Sequence, residues 1–186
     1  AGEANIVMDS FSDPSGRLAM RIAINNDDMP FLVDSISAAL ATHGLVVQRL
    51  IHPVIHVERD KDNIMRAIHK AEQPGSLRES LIYIETNRVD AKERRALQDM
   101  LCTILRDVRH AVADWQKMQA AMASQAEGAS DEEGAALIHR LKDGNMTILA
   151  TEEMHRAGSR HNRLGLSRAS DAPLMSEASL PLAIKW

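Results

Sequence analysis

From Arg17 to Asn25 the chain alternates. Leu18, Met20, Ile22 and Ile24 fall on one side; Arg17, Arg21 and the small Ala19 and Ala23 fall on the other. A period of two predicts a half-buried strand. Asn25-Asn26-Asp27-Asp28 interrupts it, and the period then changes. Met29, Leu32, Val33, Ile36, Ala39, Leu40 and His43 recur at helical spacing, the stripe of an amphipathic helix. Asp28 is placed to cap that helix, and Pro30 falls in its first turn, where a missing N–H does little harm. Gly44 stands where a left-handed C-cap belongs. Leu45–Ile51 returns to extended, β-branched character.

Other elements surround this strand–helix–strand unit. Asn5–Met8 is a short apolar strand, and Asp9–Gly16 is a turn-rich connector that can fold it back as a hairpin. Beyond Ile51, the residues Ile55 and Val57 share its face, while His52, Val54, His56 and Glu58 share the other. Pro53 lacks a ladder donor and predicts an edge or a bulge. Arg59–Ser76 reads as an exposed polar loop. Leu81–Thr86 is a strand with Ile82 and Ile84 facing the core. Asp90 and Glu93 form a capping-box-like start to a helix over about Asp90–Met122. Leu97, Leu101, Ile104, Leu105, Val108, Val112 and Trp115 stripe it. Ser130-x-x-Glu133 opens a further helix, which Asp143-Gly144 ends, and Asn145–Thr151 follows as a strand. The domain reading is one domain over residues 1–123 and a linker over 124–129. Residues 130–186 are then the helix–strand start of a following domain, partly disordered.

Strand, polar loop with proline, amphipathic helix, glycine, strand resembles the first half of an ACT domain, a small βαββαβ module. NDDMPFLVDS at Asn26–Ser35 and RLIHPVIHVERD at Arg49–Asp60 narrow the resemblance. They are similar to the N-terminal regulatory region of the large bacterial NAD-specific glutamate dehydrogenases. ESLIYIETNR (Glu79–Arg88) and LRDVRHAVADWQKM (Leu105–Met118) fit the same family. The resemblance implies an α+β, ferredoxin-like fold: an open, mostly antiparallel sheet with helices on one face, over about Ile6–Met122. The start of a second small α/β unit follows. The fourth strand comes either from Asn145–Thr151 or from Asn5–Met8. One position departs from the pattern: ACT loops often read Pro-Gly, where glycine lets a ligand approach the backbone, and here Phe31 follows Pro30.

The resemblance also implies a function. The parent enzyme converts L-glutamate, water and NAD to 2-oxoglutarate, ammonium and NADH. This region biases or assembles it, with an amino-acid effector, the catalytic domain of the same chain and further copies of the chain as partners. A purely structural oligomerisation domain, or an ACT-type sensor of an unrelated regulator, are the alternatives. The chain begins Ala-Gly-Glu and ends LPLAIKW, which reads as a piece of a longer protein.

Composition narrows the classes. A chain of 186 residues with 45% hydrophobic and only 3% aromatic residues predicts an aliphatic, Met-rich core. A net charge of −4 offers no general attraction to nucleic acid or anionic membranes, and no apolar run reaches membrane-spanning length. The single Cys102 cannot form an internal disulfide, which fits a cytoplasmic setting.

The chemistry is concentrated in one loop. Asn25, Asn26, Asp27, Asp28, Met29, Pro30 and Phe31 precede a helix N-terminus, whose open N–H groups and dipole suit a ligand carboxylate. Asp27 or Asp28 can meet an ammonium group. The stripe of the second long helix exceeds what a small sheet covers, so Val112, Trp115 and Met118 are expected at an interface. His52 and His56 share a strand face but lack the further ligand a zinc site wants, so no metal is expected. Cys102 reads as a small packing residue. No glycine-rich phosphate loop is present; NAD is expected in the parent enzyme and no cofactor or catalytic residue here.

Overall fold

The computed structural model describes residues 2–12, 15–154 and 159–169. The chain forms two compact units, Ala1–Val108 and Arg109–Trp186, and one helix passes from the first into the second.

The first unit is built on a sheet of β1 (Asn5–Ser12), β2 (Leu18–Asp27), β3 (Val47–Ile51), β4 (Val54–Arg59), β5 (Met65–His69) and β6 (Leu77–Asn87). The order is β1-β2-β6-β4-β5, with β3 also on β6, and every pairing is antiparallel. Helix α1 (Leu32–Thr42) and the start of α2 (Ala91–Glu127) bury one face of it. Met20, Ile22, Ile24, Ile82 and Ile84 meet Leu32, Ile36, Leu40, Leu97, Leu101 and Leu105 in a single cluster. These are the inward positions of two alternating strands and the stripes of two amphipathic helices, so the α+β reading holds.

Several details differ from expectation. β1 runs through Ser12, opposite Leu18, and its whole length pairs with β2. It thereby holds the edge beside β2, which settles the open question of that strand. β2 continues through Asp27 because β6 supplies partners: Asn25 faces Leu81, Asn26 faces Ser80 and Asp27 faces Glu79. Backbone pairing outweighs the turn preference of the Asn-Asn-Asp run. β3 and β4 form one path along β6, from Ile51 opposite Tyr83 to Val54 opposite Ser80. Pro53 interrupts it, although its carbonyl still accepts the Leu81 N–H at 3.0 Å. The segment expected as a loop over Arg59–Ser76 contains β5, paired with β4. Asp60 shapes the connection, accepting N–H groups from Asp62 and Ile64 at 3.0 and 2.9 Å.

Helix ends follow the sequence in part. After His43, Gly44 adopts φ 69°. Its N–H meets the Ala41 carbonyl at 3.0 Å and the Leu45 N–H meets that of Leu40 at 2.9 Å, the paired bonds of a Schellman stop. Asp90 accepts the Glu93 N–H at 2.8 Å, and Glu93 reaches back to the Asp90 N–H at 3.3 Å, a complete capping box. α2 then runs to Glu127, through Ser124–Glu127 in the segment read as linker. Cys102 is exposed rather than packed.

The second unit comprises the later part of α2, α3 (Glu132–Arg140), a kinked turn over Leu141–Asn145 in which Asp143 and Gly144 leave helical geometry, β7 (Ala150–Met154), β8 (Arg160–Gly165) and the short α4 (Leu166–Ala169). α3 is capped by Asp131, whose side chain accepts the Gly134 N–H, one residue later than the sequence suggested. β7 begins five residues after the expected Asn145 and pairs with β8 alone among the described strands. Asp114, almost fully buried, accepts the Gly165 N–H at 3.0 Å and pairs with Lys117 and Arg168. Burial pushes its carboxyl upward, yet those donors outweigh burial and hold it below its ordinary value. Beyond Ala169 the chain lies outside the described residues, and with it the last part, 170–186, of the segment expected to be partly disordered. No described helix is long and apolar enough to cross a membrane.

Candidate functional site

The seven loop residues singled out in the sequence do not form one site. Alternation along β2 sends Asn25 and Asp27 to one face of the sheet and Asn26 to the other, and Asp28–Phe31 lie beyond the strand.

Asn25 and Asp27 face away from the helices. With Glu3, Asn5, Asn26, Arg59, Asn63, Leu77 and Glu79 they line a hollow of about 160 Å³. Glu79 is its buried centre, only 4% exposed. Arg59 grips the carboxylate as a fork, Nε to Oε1 at 2.5 Å and Nη2 to Oε2 at 2.8 Å, and Asn25 Nδ2 adds 2.9 Å. The Arg59 fork, then Asn25, keep the Glu79 carboxyl below its ordinary value of 4.5 against the opposing effect of burial. Glu79 in turn raises Arg59. A second Arg59 bond, to the Asn63 carbonyl at 2.7 Å, ties the pair to the β4–β5 connection. Asn26 points to the core side and is 3% exposed, with its amide on the Asp27 carbonyl at 2.9 Å.

Asp28 lies on the helix side, and it does not cap α1. The Ser80 hydroxyl donates to Asp28 Oδ1 at 2.7 Å, and Arg78 Nη2 meets Oδ2 at 2.7 Å. The Asp28 N–H donates to the Arg78 carbonyl at 3.0 Å. His52 Nε2 lies 3.0 Å from Ser80 Oγ. The one hydroxyl proton of Ser80 is committed to Asp28, so His52 must be the donor in that contact. With both carboxylate oxygens engaged, Asp28 turns toward β6 and away from the helix.

The start of α1 is consequently bare. Its N-cap is Phe31, with no side-chain cap bond, in the left-handed region at φ 70° and ψ 2°. Pro30 stands one residue before the cap rather than in the first turn. Phe31 thus adopts the conformation glycine would favour, and its side chain remains 43% exposed. Met29 is half-buried against the core. The first-turn N–H groups have no intrahelical partner, and Asp34 is the acid of that turn.

The histidine face joins this helix-side cluster through His52. Among the described residues no three His, Cys, Asp or Glu side chains converge as a metal would require. Of the three expected interface residues, Met118 is fully buried in its own unit, with Sδ 3.0 Å from where a Cβ on Gly165 would lie. It therefore offers no outward anchor. Val112 and Trp115 are half-buried.

Residues 17–101 match the family model for the glutamate dehydrogenase ACT1 domain. The chain belongs, through this ACT-like region, to the NAD-specific glutamate dehydrogenase family. The ACT1 match spans β2 through the first turns of α2, the part of the chain that carries both clusters. An NAD-specific glutamate dehydrogenase of Halomonas elongata is 30% identical over 146 residues, covering 71% of this chain and 9% of that protein. One from Pseudomonas aeruginosa is 34% identical over 102 residues, covering 53% of this chain and 6% of its own length. The chain thus spans under a tenth of these relatives.

Arg59, Arg78, Glu79 and Ser80 were not singled out in the sequence. The available signal was a run of three polar residues, Arg78-Glu79-Ser80, leading into the apolar LIYI stretch of β6. Their partners are far along the chain and become visible only once β4 and β2 flank β6.

Proposed function

We propose that this ACT-like region regulates an NAD-dependent glutamate dehydrogenase by receiving the carboxylate of an amino-acid effector at the N-terminus of α1. In this reading the catalytic domain of the same polypeptide oxidises L-glutamate with NAD and water, yielding 2-oxoglutarate, ammonium and NADH. The region acts on that cytoplasmic, oligomeric enzyme from outside the reaction. The observation that carries the reading is the uncapped α1 start. Asp28, the carboxylate that would otherwise answer those N–H groups, is held by Ser80 and Arg78. An effector changes activity only through different affinities for two enzyme states.

Calorimetry with the common amino acids tests it. Saturable heat at millimolar or lower concentration, lost when the α-carboxylate is replaced by an amide, supports the reading. No heat from any amino acid refutes it for this loop. A second reading, an assembly element without ligand, is favoured by the half-exposed Phe31 ring at the place where a ligand would approach. Phe31→Ala then weakens self-association measured by sedimentation and leaves amino-acid binding absent.

A further inference from the structure

We propose that the β2–α1 loop is a two-state element, held in a strained form by a clamp on Asp28. The proposal concerns the energetics of the loop itself and stands whatever the loop receives.

The strain is at Phe31. A non-glycine residue at φ 70° brings its Cβ against the following carbonyl, and such conformations persist only where the surroundings over-determine them. Here the surroundings are explicit. Before Phe31, Asp28 is fixed at three points: Oδ1 by Ser80, Oδ2 by Arg78 and its N–H by the Arg78 carbonyl. Met29 packs on the core, and the ring of Pro30 fixes its own φ. After Phe31, Leu32 is 1% exposed in the core and sets the position of the helix. Between two anchored ends and a rigid proline, the turn into α1 falls on Phe31.

The clamp is unequally protected. Ser80 is fully buried, whereas the Arg78 side chain is 60% exposed and the Asp28 side chain 17%. The Arg78 contact is therefore the part that an outside group can compete for. Its loss frees one carboxylate oxygen, leaves Asp28 held by Ser80 and by its own N–H alone, and lets the strain at Phe31 relax. Helix α1 beyond its first turn need not change, because Ile36 and Leu40 remain in the core and the Schellman stop at Gly44 is remote.

Amide exchange on the whole chain tests this. The Ser35 N–H, bonded to the Phe31 carbonyl at 3.0 Å, reports on the first turn. Arg78→Gln, at an exposed position, is expected to speed Ser35 exchange tenfold or more, with Leu40, Ile82 and Ile84 unchanged. Ser80→Ala is expected to act in the same direction. Phe31→Gly removes the strain, so Arg78→Gln combined with Phe31→Gly is expected to return Ser35 to within about threefold of wild type. Unchanged Ser35 exchange in Arg78→Gln overturns the proposal. So does faster exchange throughout the first unit, which would make the clamp a general support, and so does failure of Phe31→Gly to restore protection.

Discussion

Arg59→Met is the sharpest test of how the first unit is held together. Methionine keeps much of the apolar stem and removes the fork, leaving Glu79 buried with Asn25 as its remaining side-chain donor. Removing one partner of a buried pair costs about 3–5 kcal/mol. The Arg59 side chain is 17% exposed and that of Glu79 is 5%, so the loss belongs at the lower end, about 3 kcal/mol at neutral pH. The pH dependence then changes sign. In the wild type Glu79 sits below 4.5, so its contribution is full above that value and fades as pH falls through the depressed folded value. In the variant burial dominates and lifts the carboxyl above 4.5, so the penalty is present near pH 7 and fades as the group takes up a proton on acidification. The two curves converge on acidification, and the difference between them shrinks. Urea unfolding at several pH values, with amide exchange at Ile82 and Ile84 identifying the first unit, measures it. A neutral-pH loss below about 1 kcal/mol, or the same loss at neutral and acid pH, refutes the argument.

Four further outcomes are expected. Gly165→Ala places a Cβ 2.3 Å from the Leu149 carbonyl oxygen at φ +62°; a loss of several kcal/mol in the second unit is expected by thermal unfolding, and a change under about 1 kcal/mol contradicts the packing. Asp131→Ala should cost about 1 kcal/mol and Ser130→Ala close to nothing, read by the helicity of α3; the reverse order would restore Ser130 as the cap. Asp90→Ala should likewise cost about 1 kcal/mol by removing the acceptor of the Glu93 N–H, while the residue-90 N–H keeps its bond to Glu93, and Tm shows whether it does. Asp114→Asn keeps the shape but removes the charge facing Lys117 and Arg168, so the acid-side loss of stability due to Asp114 should disappear from the pH profile; an unaltered profile would assign that loss elsewhere.

What the sequence disclosed depended on the range of the interaction. The core stripe, the stop at Gly44 and the Asp90–Glu93 box are local, and each is set by residues a few positions apart. Asp28 was misjudged because capping is also a local rule, and two donors about fifty residues away, Arg78 and Ser80, took the side chain instead. The Asn-Asn-Asp run looked like a turn for the same reason, since nothing nearby shows that β6 will pair with it. β5 was hidden within a polar stretch: MRAIH is an edge strand whose residues are exposed or half-buried, with little to bury. Met118 looked surplus to a sheet that ends earlier, because the unit that buries it lies further along the chain.

The position of β1 also bears on how the chain is made. With the sheet edge beside β2 filled from the N-terminal side, every strand of that sheet lies upstream of α2. A strand drawn from beyond α2 would have kept the sheet open until the whole helix had been synthesised. Here the first unit has all its parts once Val108 has emerged, and the ribosome needs on the order of 10 s more to reach Trp186. Small mixed α/β domains fold far faster than that. The regulatory module can therefore be a finished body before the second unit is complete as polypeptide. Its apolar face is then covered at the stage when a growing chain is most exposed to wrong partners.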